Sequence, residues 1–153
     1  MLFHMFEVAN FADKLSEQML QYPVSVKQLS ENINVSYSTI YNFLKGRYKQ
    51  PNTEIFFRLI EYFQCSADYM LGLVEFPVEC ATYYPPLRIY GQRIKELLKA
   101  RKTTQLQFIE DLHISSNLAY TWISDKALPT IEYLIKLSHY FDMSVDMFIQ
   151  RVK

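Results

Sequence analysis

The chain repeats itself once, and this constrains its fold more than any other feature. Placing Val35-Ser36 over Ile114-Ser115 sets a register of 79 residues that holds from Phe11/Tyr90 to Gly46/Asp125. It lays Leu15 on Ile94, Met19 on Leu98, Leu29 on Phe108, Ile33 on Leu112, Tyr41 on Tyr120 and Leu44 on Ile123. Beyond that point a register of 78 pairs Pro51 with Pro129, Glu54 with Glu132, Leu59 with Leu137, Tyr62-Phe63 with Tyr140-Phe141, Ser66 with Ser144 and Asp68 with Asp146. The one-residue slip falls where a surface loop would absorb it and a helix would not. The chain is two copies of one unit, and each copy must bury the same row of apolar positions.

Within a copy the apolar spacing is helical. Around Leu29–Gly46 (LSENINVSYSTIYNFLKG), Leu29 and Ile33 share one face of a short helix. A tight turn at Asn34-Val35 follows, and Ser36 is placed to cap a second helix. In that second helix Ile40, Phe43 and Leu44 fall at i, i+3 and i+4 and must face inward, which turns Tyr37, Ser38, Thr39, Tyr41, Asn42 and Lys45 outward. The same reasoning predicts helices near 8–21, 25–33, 36–45, 52–63 and 66–72, then near 88–101, 104–111, 115–124, 130–141 and 144–151. Tyr22-Pro23 divides the first two, and Ser25, Ser66, Thr103 or Thr104, Ser115, Thr130 and Ser144 are start signals. Ile40, Phe43, Trp122, Ile123 and both aromatic pairs, Tyr62-Phe63 and Tyr140-Phe141, are expected in the core. Asp125 replaces Gly46 at a helix end and is expected to tolerate a left-handed backbone there at some strain.

The outward face of the second helix is polar and aromatic but uncharged until its end. A face that only had to stay soluble would carry Glu and Lys, whereas Ser, Thr, Asn and Tyr hydrogen-bond or pack on base edges. Lys45, Arg47 and Lys49 follow, where a nucleic-acid backbone would run. The pattern Val-Ser-x-Ser-Thr-Ile-x-x-x-x-x-Gly over Val35–Gly46 resembles the helix-turn-helix of the phage-repressor type (Cro/CI, or XRE). The resemblance runs from about Phe11 to Leu73, because Asn52–Leu73 is similar to that family's fourth and fifth helices, and Ser66–Leu73 (SADYMLGL) to its closing run.

The resemblance implies an all-α protein of two repressor-like five-helix helix-turn-helix domains in tandem, 1–73 and 88–153, joined by a Pro/Tyr-rich linker at 74–87. It also implies that each third helix enters the major groove of double-stranded DNA. Carried over position by position, the base-reading residues are Tyr37, Ser38, Thr39, Tyr41 and Asn42 in the first unit and Ser116, Asn117, Leu118, Tyr120 and Thr121 in the second. Asn42 or Asn117 suits an adenine edge and Leu118 a thymine methyl. Lys45, Arg47, Lys49, Gln105 and Lys126 are placed for phosphates. The family's glutamine at the start of the second helix is present as Gln105 but is replaced by Val26 in the first unit.

Composition narrows the function. Lys+Arg and Asp+Glu both number 16, so any DNA binding must come from a local patch rather than from bulk charge. Residues 1–80 carry 6 basic and 9 acidic side chains and residues 81–153 carry 10 and 7, so the second half is the more cationic. Arg88, Arg93, Lys95, Lys99, Arg101 and Lys102 are expected mainly as a solvated helix face. The 2 cysteines, Cys65 and Cys80, form no disulfide framework, and Cys65 reads as a small buried hydrophobe. His4, His113 and His139 lack ligand spacing, so no metal is expected. With 3 glycines there is no phosphate-cradling loop, nor is there a nucleophile setting, so the chain is expected not to be an enzyme and to need no cofactor or small-molecule ligand. Met1–Glu7 has no basic region of the secretory kind, and no apolar run is long enough to span a membrane, which leads to the expectation of a cytoplasmic protein.

Val74–Leu87 holds three prolines and reads as a linker or a packed, extended strap; its apolar share (Val74, Phe76, Val78, Tyr83, Tyr84, Leu87) is high for a solvated tether, so it is expected to pack partly on one or both units. Its 14 residues reach at most about 46–50 Å, against about 34 Å between neighbouring half-sites on DNA. One chain is thus expected to cover a non-palindromic operator, with a homodimer also open to it. The competing expectation is a protein-interaction module, for dimerisation or binding a partner repressor, in which one or both units have lost DNA readout.

Overall fold

The computed structural model describes residues 3–77, 80 and 82–152, with side chains from Phe11 onward. Val78 of the strap and the His4 side chain lie outside this range. Among the described residues there are ten helices and no strand. The first unit comprises α1 (Phe3–Gln21), α2 (Val26–Ile33), α3 (Tyr37–Leu44), α4 (Thr53–Phe63) and α5 (Ala67–Met70). The second comprises α6 (Gly91–Ala100), α7 (Gln105–Leu112), α8 (Ser116–Ile123), α9 (Ile131–Tyr140) and α10 (Val145–Phe148).

The helix starts follow from local chemistry. Ser25, Ser36, Asn52, Ser66, Thr104, Ser115, Thr130 and Ser144 each accept a hydrogen bond on the side-chain oxygen from the backbone N–H three residues on. Each such cap contributes about 1 kcal/mol. Asn34 at φ 55 and His113 at φ 53 turn the corner between second and third helices in the left-handed conformation. The repeat reaches this level of detail, since Gly46/Asp125, Gln64/Asp142 and Gly72/Gln150 are also left-handed in both copies. Left-handed Gly72 and Gln150 end the last helices near Met70 and Phe148, slightly before the expected 72 and 151.

The core is one continuous cluster shared by both units. Phe11, Leu15, Leu29, Ile40 and Phe43 are buried in the first, and Tyr90, Ile94, Phe108, Ala119 and Trp122 in the second. The pair Ile40/Phe43 becomes Ala119/Trp122, a small residue compensating a large one, so that the filled volume changes little. Tyr62 and Tyr140 depart from expectation. They follow the rule that adjacent residues on a helix point about 100° apart, so only Phe63 and Phe141 face inward. Tyr62 lies at the surface and Tyr140 is half-buried against the core, and both tie the fourth helix to the second: the Asn32 amide donates to the Tyr62 hydroxyl (3.3 Å), and the Tyr140 hydroxyl donates to Asp111 (2.7 Å).

One further expectation is corrected. The sixth helix begins at Gly91 rather than near 88, because Arg88 and Ile89 still belong to the strap. Its N-terminus has no cap of its own; the Asp125 carboxylate supplies one, accepting from Tyr90 N (2.9 Å) and Gly91 N (2.7 Å). Asp125 keeps the left-handed backbone of its mate Gly46 (φ 60) and is also a brace between α8 and α6, which in turn demands Gly91. A Cβ there would meet the Ile123 carbonyl oxygen at 2.2 Å. The cations of 88–102 are mainly solvated, as expected, with Lys95, Lys99 and Lys102 exposed, but the arginines among them also reach other elements. Arg88 bridges Glu54 (2.9 Å) and Glu61 (2.7 Å) of the first unit, Arg93 donates to the carbonyls of Met147 and Phe148, and Arg101 donates to that of Tyr140.

The strap packs only in part: Phe76 is 75% exposed and Tyr84 also lies at the surface, and the buried residues among those described lie in its second half. Tyr83 and Pro86 are buried, and Tyr84 N and Leu87 N donate to the carbonyls of Arg151 and Ile149, both at 2.8 Å. Arg151 is fully buried beneath it. Its guanidinium donates to the carbonyls of Tyr84 (3.1 Å), Ile60 (3.1 Å) and Cys65 (2.8 Å), and so clamps strap, second unit and the end of α4 together.

Candidate nucleic-acid interface

Each unit holds out one short helix by burying a narrow row beneath it. In α3 that row is Ile40 and Phe43, and in α8 it is Ala119 and Trp122. Tyr37, Ser38 and Tyr41 are exposed on α3, as are Ser116, Asn117 and Tyr120 on α8. Neither helix carries a charged side chain, so both ridges offer only hydroxyls, amides and aromatic faces.

The remaining predicted readers sit deeper. Thr39 is half-buried and its hydroxyl shares a 2.6 Å hydrogen bond with the Ser36 cap, while its counterpart Leu118 packs partly against the core. Thr121 is half-buried and donates to the Leu118 carbonyl (2.7 Å). Asn42 is half-buried too, but its Oδ1 accepts from Arg47 Nη1 at 3.1 Å, which fixes the amide and leaves its NH2 group to donate elsewhere.

Cations frame the C-terminal end of each ridge, where the negative end of the helix dipole favours them. In the first unit Gly46 at φ 71 reverses the chain, so that Arg47 N returns to the Asn42 carbonyl (2.9 Å). Lys45 and Arg47 then lie 5.3 and 5.7 Å from the Tyr41 ring centroid, and Tyr41 stacks on Tyr37 at 6.3 Å. The second unit repeats the device in simpler form, with Lys126 N on the Thr121 carbonyl (2.8 Å) and Lys126 Nζ 4.9 Å from the Tyr120 centroid. Lys49 is exposed on the same loop as Arg47. Gln105 is exposed at the first position of α7, whereas Val26 at the equivalent position of α2 is half-buried against the core.

Residues 16–70 match the family described as "Helix-turn-helix", and residues 91–153 match the one described as "Helix-turn-helix domain". The chain is a tandem helix-turn-helix protein of the XRE family. No curated protein and no solved structure matches it. In this tandem helix-turn-helix protein the motif pairs are α2–α3 and α7–α8, and domains of this kind belong to DNA-binding regulators of transcription. No described helix is long and apolar enough to cross a membrane.

The helix-turn-helix frame also draws in a residue that sequence reasoning missed. Tyr48 is half exposed between Arg47 and Lys49 and rests edge-on against Phe43 (5.7 Å). An aromatic ring interleaved in a basic run was the available signal. Asp111 on α7 keeps its negative charge, since the Tyr140 hydroxyl and then Gln107 hold its carboxyl below the usual range.

Proposed function

We propose that the protein is a sequence-specific double-stranded-DNA-binding transcriptional regulator acting in the cytoplasm, with units at 1–73 and 88–153 each laying its third helix in a major groove. The observation that carries this reading is the doubled ridge: two solvent-facing, uncharged helices, each with a cation folded over a tyrosine at its end. Bases are read by Tyr37, Ser38, Tyr41 and Asn42 and by Ser116, Asn117 and Tyr120, with Thr39, Leu118 and Thr121 contributing from the base of each ridge. Lys45, Arg47, Lys49 and Lys126 hold phosphates, joined by Gln105 on the second unit. Nothing in this chemistry calls for a bond-breaking step, a metal or a cofactor.

Gel-shift titration on a selected operator tests the assignment. Asn42→Ala and Asn117→Ala are each expected to relax base preference at one position, at about 1–3 kcal/mol per lost bidentate contact. If neither substitution alters preference, the readout is assigned to the wrong residues. Four cations on phosphates predict a slope of log affinity against log salt of about −3 to −4.

Val26 favours the second reading, a partner-binding module. A first unit without the second-helix glutamine has one fewer anchor on the duplex, and Leu106, 66% exposed on α7, adds apolar surface next to Gln105. Binding to a protein partner through such a surface would be nearly independent of salt, so the same titration separates the two readings.

A further inference from the structure

Equivalent residues of the two units meet each other at two places. At the first, the N-termini of α5 and α10 face one another. The Asp146 carboxylate accepts from Ala67 N (2.7 Å), Asp68 N (3.2 Å) and the Ser66 hydroxyl (2.5 Å). The Asp68 carboxylate accepts in return from Val145 N (3.0 Å) and Asp146 N (2.9 Å). Asp68 and Asp146 are repeat mates, as are Ala67 and Val145, so the exchange is reciprocal. At the second place the Thr53 hydroxyl donates to the Pro129 carbonyl (2.6 Å), and Gln50, Pro51 and Asn52 line one cleft with Leu128, Thr130 and Ile131. These stretches are again repeat mates.

Reciprocal contact, in which one patch touches its own copy, is the signature of a two-fold axis. A residue lies beside its mate only if both lie near that axis, so the axis passes through both places. The second place follows directly on the loops that carry Arg47 and Lys49 in one unit and Lys126 in the other. The axis therefore leaves the molecule between the two basic loops, and α3 and α8 flank the end at which it emerges.

We propose that the chain is a dimer built into one polypeptide, which binds, one chain per site, a duplex carrying two half-sites in inverted orientation and of unequal sequence. The proposal rests on the DNA-binding reading above and adds the layout of the site and the stoichiometry. Inversion follows from the axis. A loose linker would also admit two half-sites in the same direction, but the reciprocal carboxylates, the Arg88 bridge to Glu54 and Glu61 and the buried Arg151 clamp fix one arrangement. Unequal sequence follows from the ridges, where Tyr37, Ser38 and Asn42 face the duplex on one side and Ser116, Asn117 and Thr121 on the other. One chain per site follows from burial, because Ser66, Ala67, Asp68, Val145 and Asp146, the patch that a second copy would need, are already covered.

The test is selection of duplexes from a random pool by the full chain, followed by light-scattering mass of the complex on the enriched site. The expected outcome is two different motifs in inverted orientation at one fixed spacing and a mass of one chain per duplex. Reversing one motif, or inserting about half a helical turn between them, is expected to weaken binding at least tenfold, since a turn is about 10 base pairs. Asn42→Ala is expected to blur one motif and Asn117→Ala the other. Motifs in the same direction, tolerance of any spacing, or two chains on a palindrome would overturn the built-in dimer while leaving the DNA-binding reading intact. Failure to enrich any sequence would overturn both.

Discussion

Replacing Arg151 by methionine is expected to loosen the whole molecule rather than its end. The guanidinium is fully buried, donates to three main-chain carbonyls at 2.8–3.1 Å, and lies 3.9 Å from the Asp146 carboxylate and 4.8 Å from the Tyr83 ring centroid. Burial lowers its pKa, opposed chiefly by Asp146. Methionine matches the stem in volume but leaves the carbonyls of Ile60 and Cys65 without these donors, and Asp146 without its nearby cation. Removing one partner from a buried charged arrangement costs about 3–5 kcal/mol. A chain of this size loses about 2–4 °C of Tm per kcal/mol, so the variant should melt about 6–20 °C below the parent. Thermal unfolding followed by circular dichroism measures this, with Arg151→Lys expected between the two, since lysine restores the charge but not the forked geometry. Because Arg151 joins the units, the parent should melt in one transition and Arg151→Met in a broader or split one. A loss of less than about 1 kcal/mol in a single sharp transition would show that the clamp does not hold the units together.

Two other perturbations probe the same wiring. Burial, then the neighbouring Asp146, push the Asp68 carboxyl above the ordinary carboxylate range, to about 7. A group whose folded pKa is raised binds its proton more tightly when folded, so the stabilisation is present in acid and is lost as pH rises from about 4 through about 7. The Tm should therefore fall between pH 5 and pH 8, and this slope should vanish in Asp68→Asn whatever that variant's absolute stability; a flat parent profile would refute it. Gly91→Ala, whose new methyl meets the Ile123 oxygen at 2.2 Å, should cost about 1–3 kcal/mol by urea denaturation, more than Gly46→Ala, where the methyl meets only open space and the cost of about 1 kcal/mol is that of the left-handed backbone.

Much of the architecture was legible because it is periodic and local. The apolar row at Ile40, Phe43 and Leu44, the caps at Ser36 and Ser115, and the slip of one residue before Pro51 are written in neighbouring residues, and the ridges on α3 and α8 follow from them. What joins the units is written across 27 to 91 residues with no local pattern. Asp68 and Asp146 look like acids placed to favour their own helix starts, and only the packed structure turns each onto the other's amides. Arg151 looks like one more surface cation. Within the site, the inward row at Ile40, Phe43 and Leu44 turns Thr39 outward and the family resemblance does the same for Leu118, yet one position from the buried row the side chain lies on the boundary, half in and half out.

The carboxylate that Asp125 lends to Tyr90 and Gly91 means that the two copies can no longer be exchanged. A chimaera carrying two first units would have a glycine hydrogen where that oxygen is needed and Leu73 where the buried guanidinium belongs. Duplication has here produced left and right halves of one object. Grafting a new ridge onto either half should succeed only if these unshared fastenings are left in place.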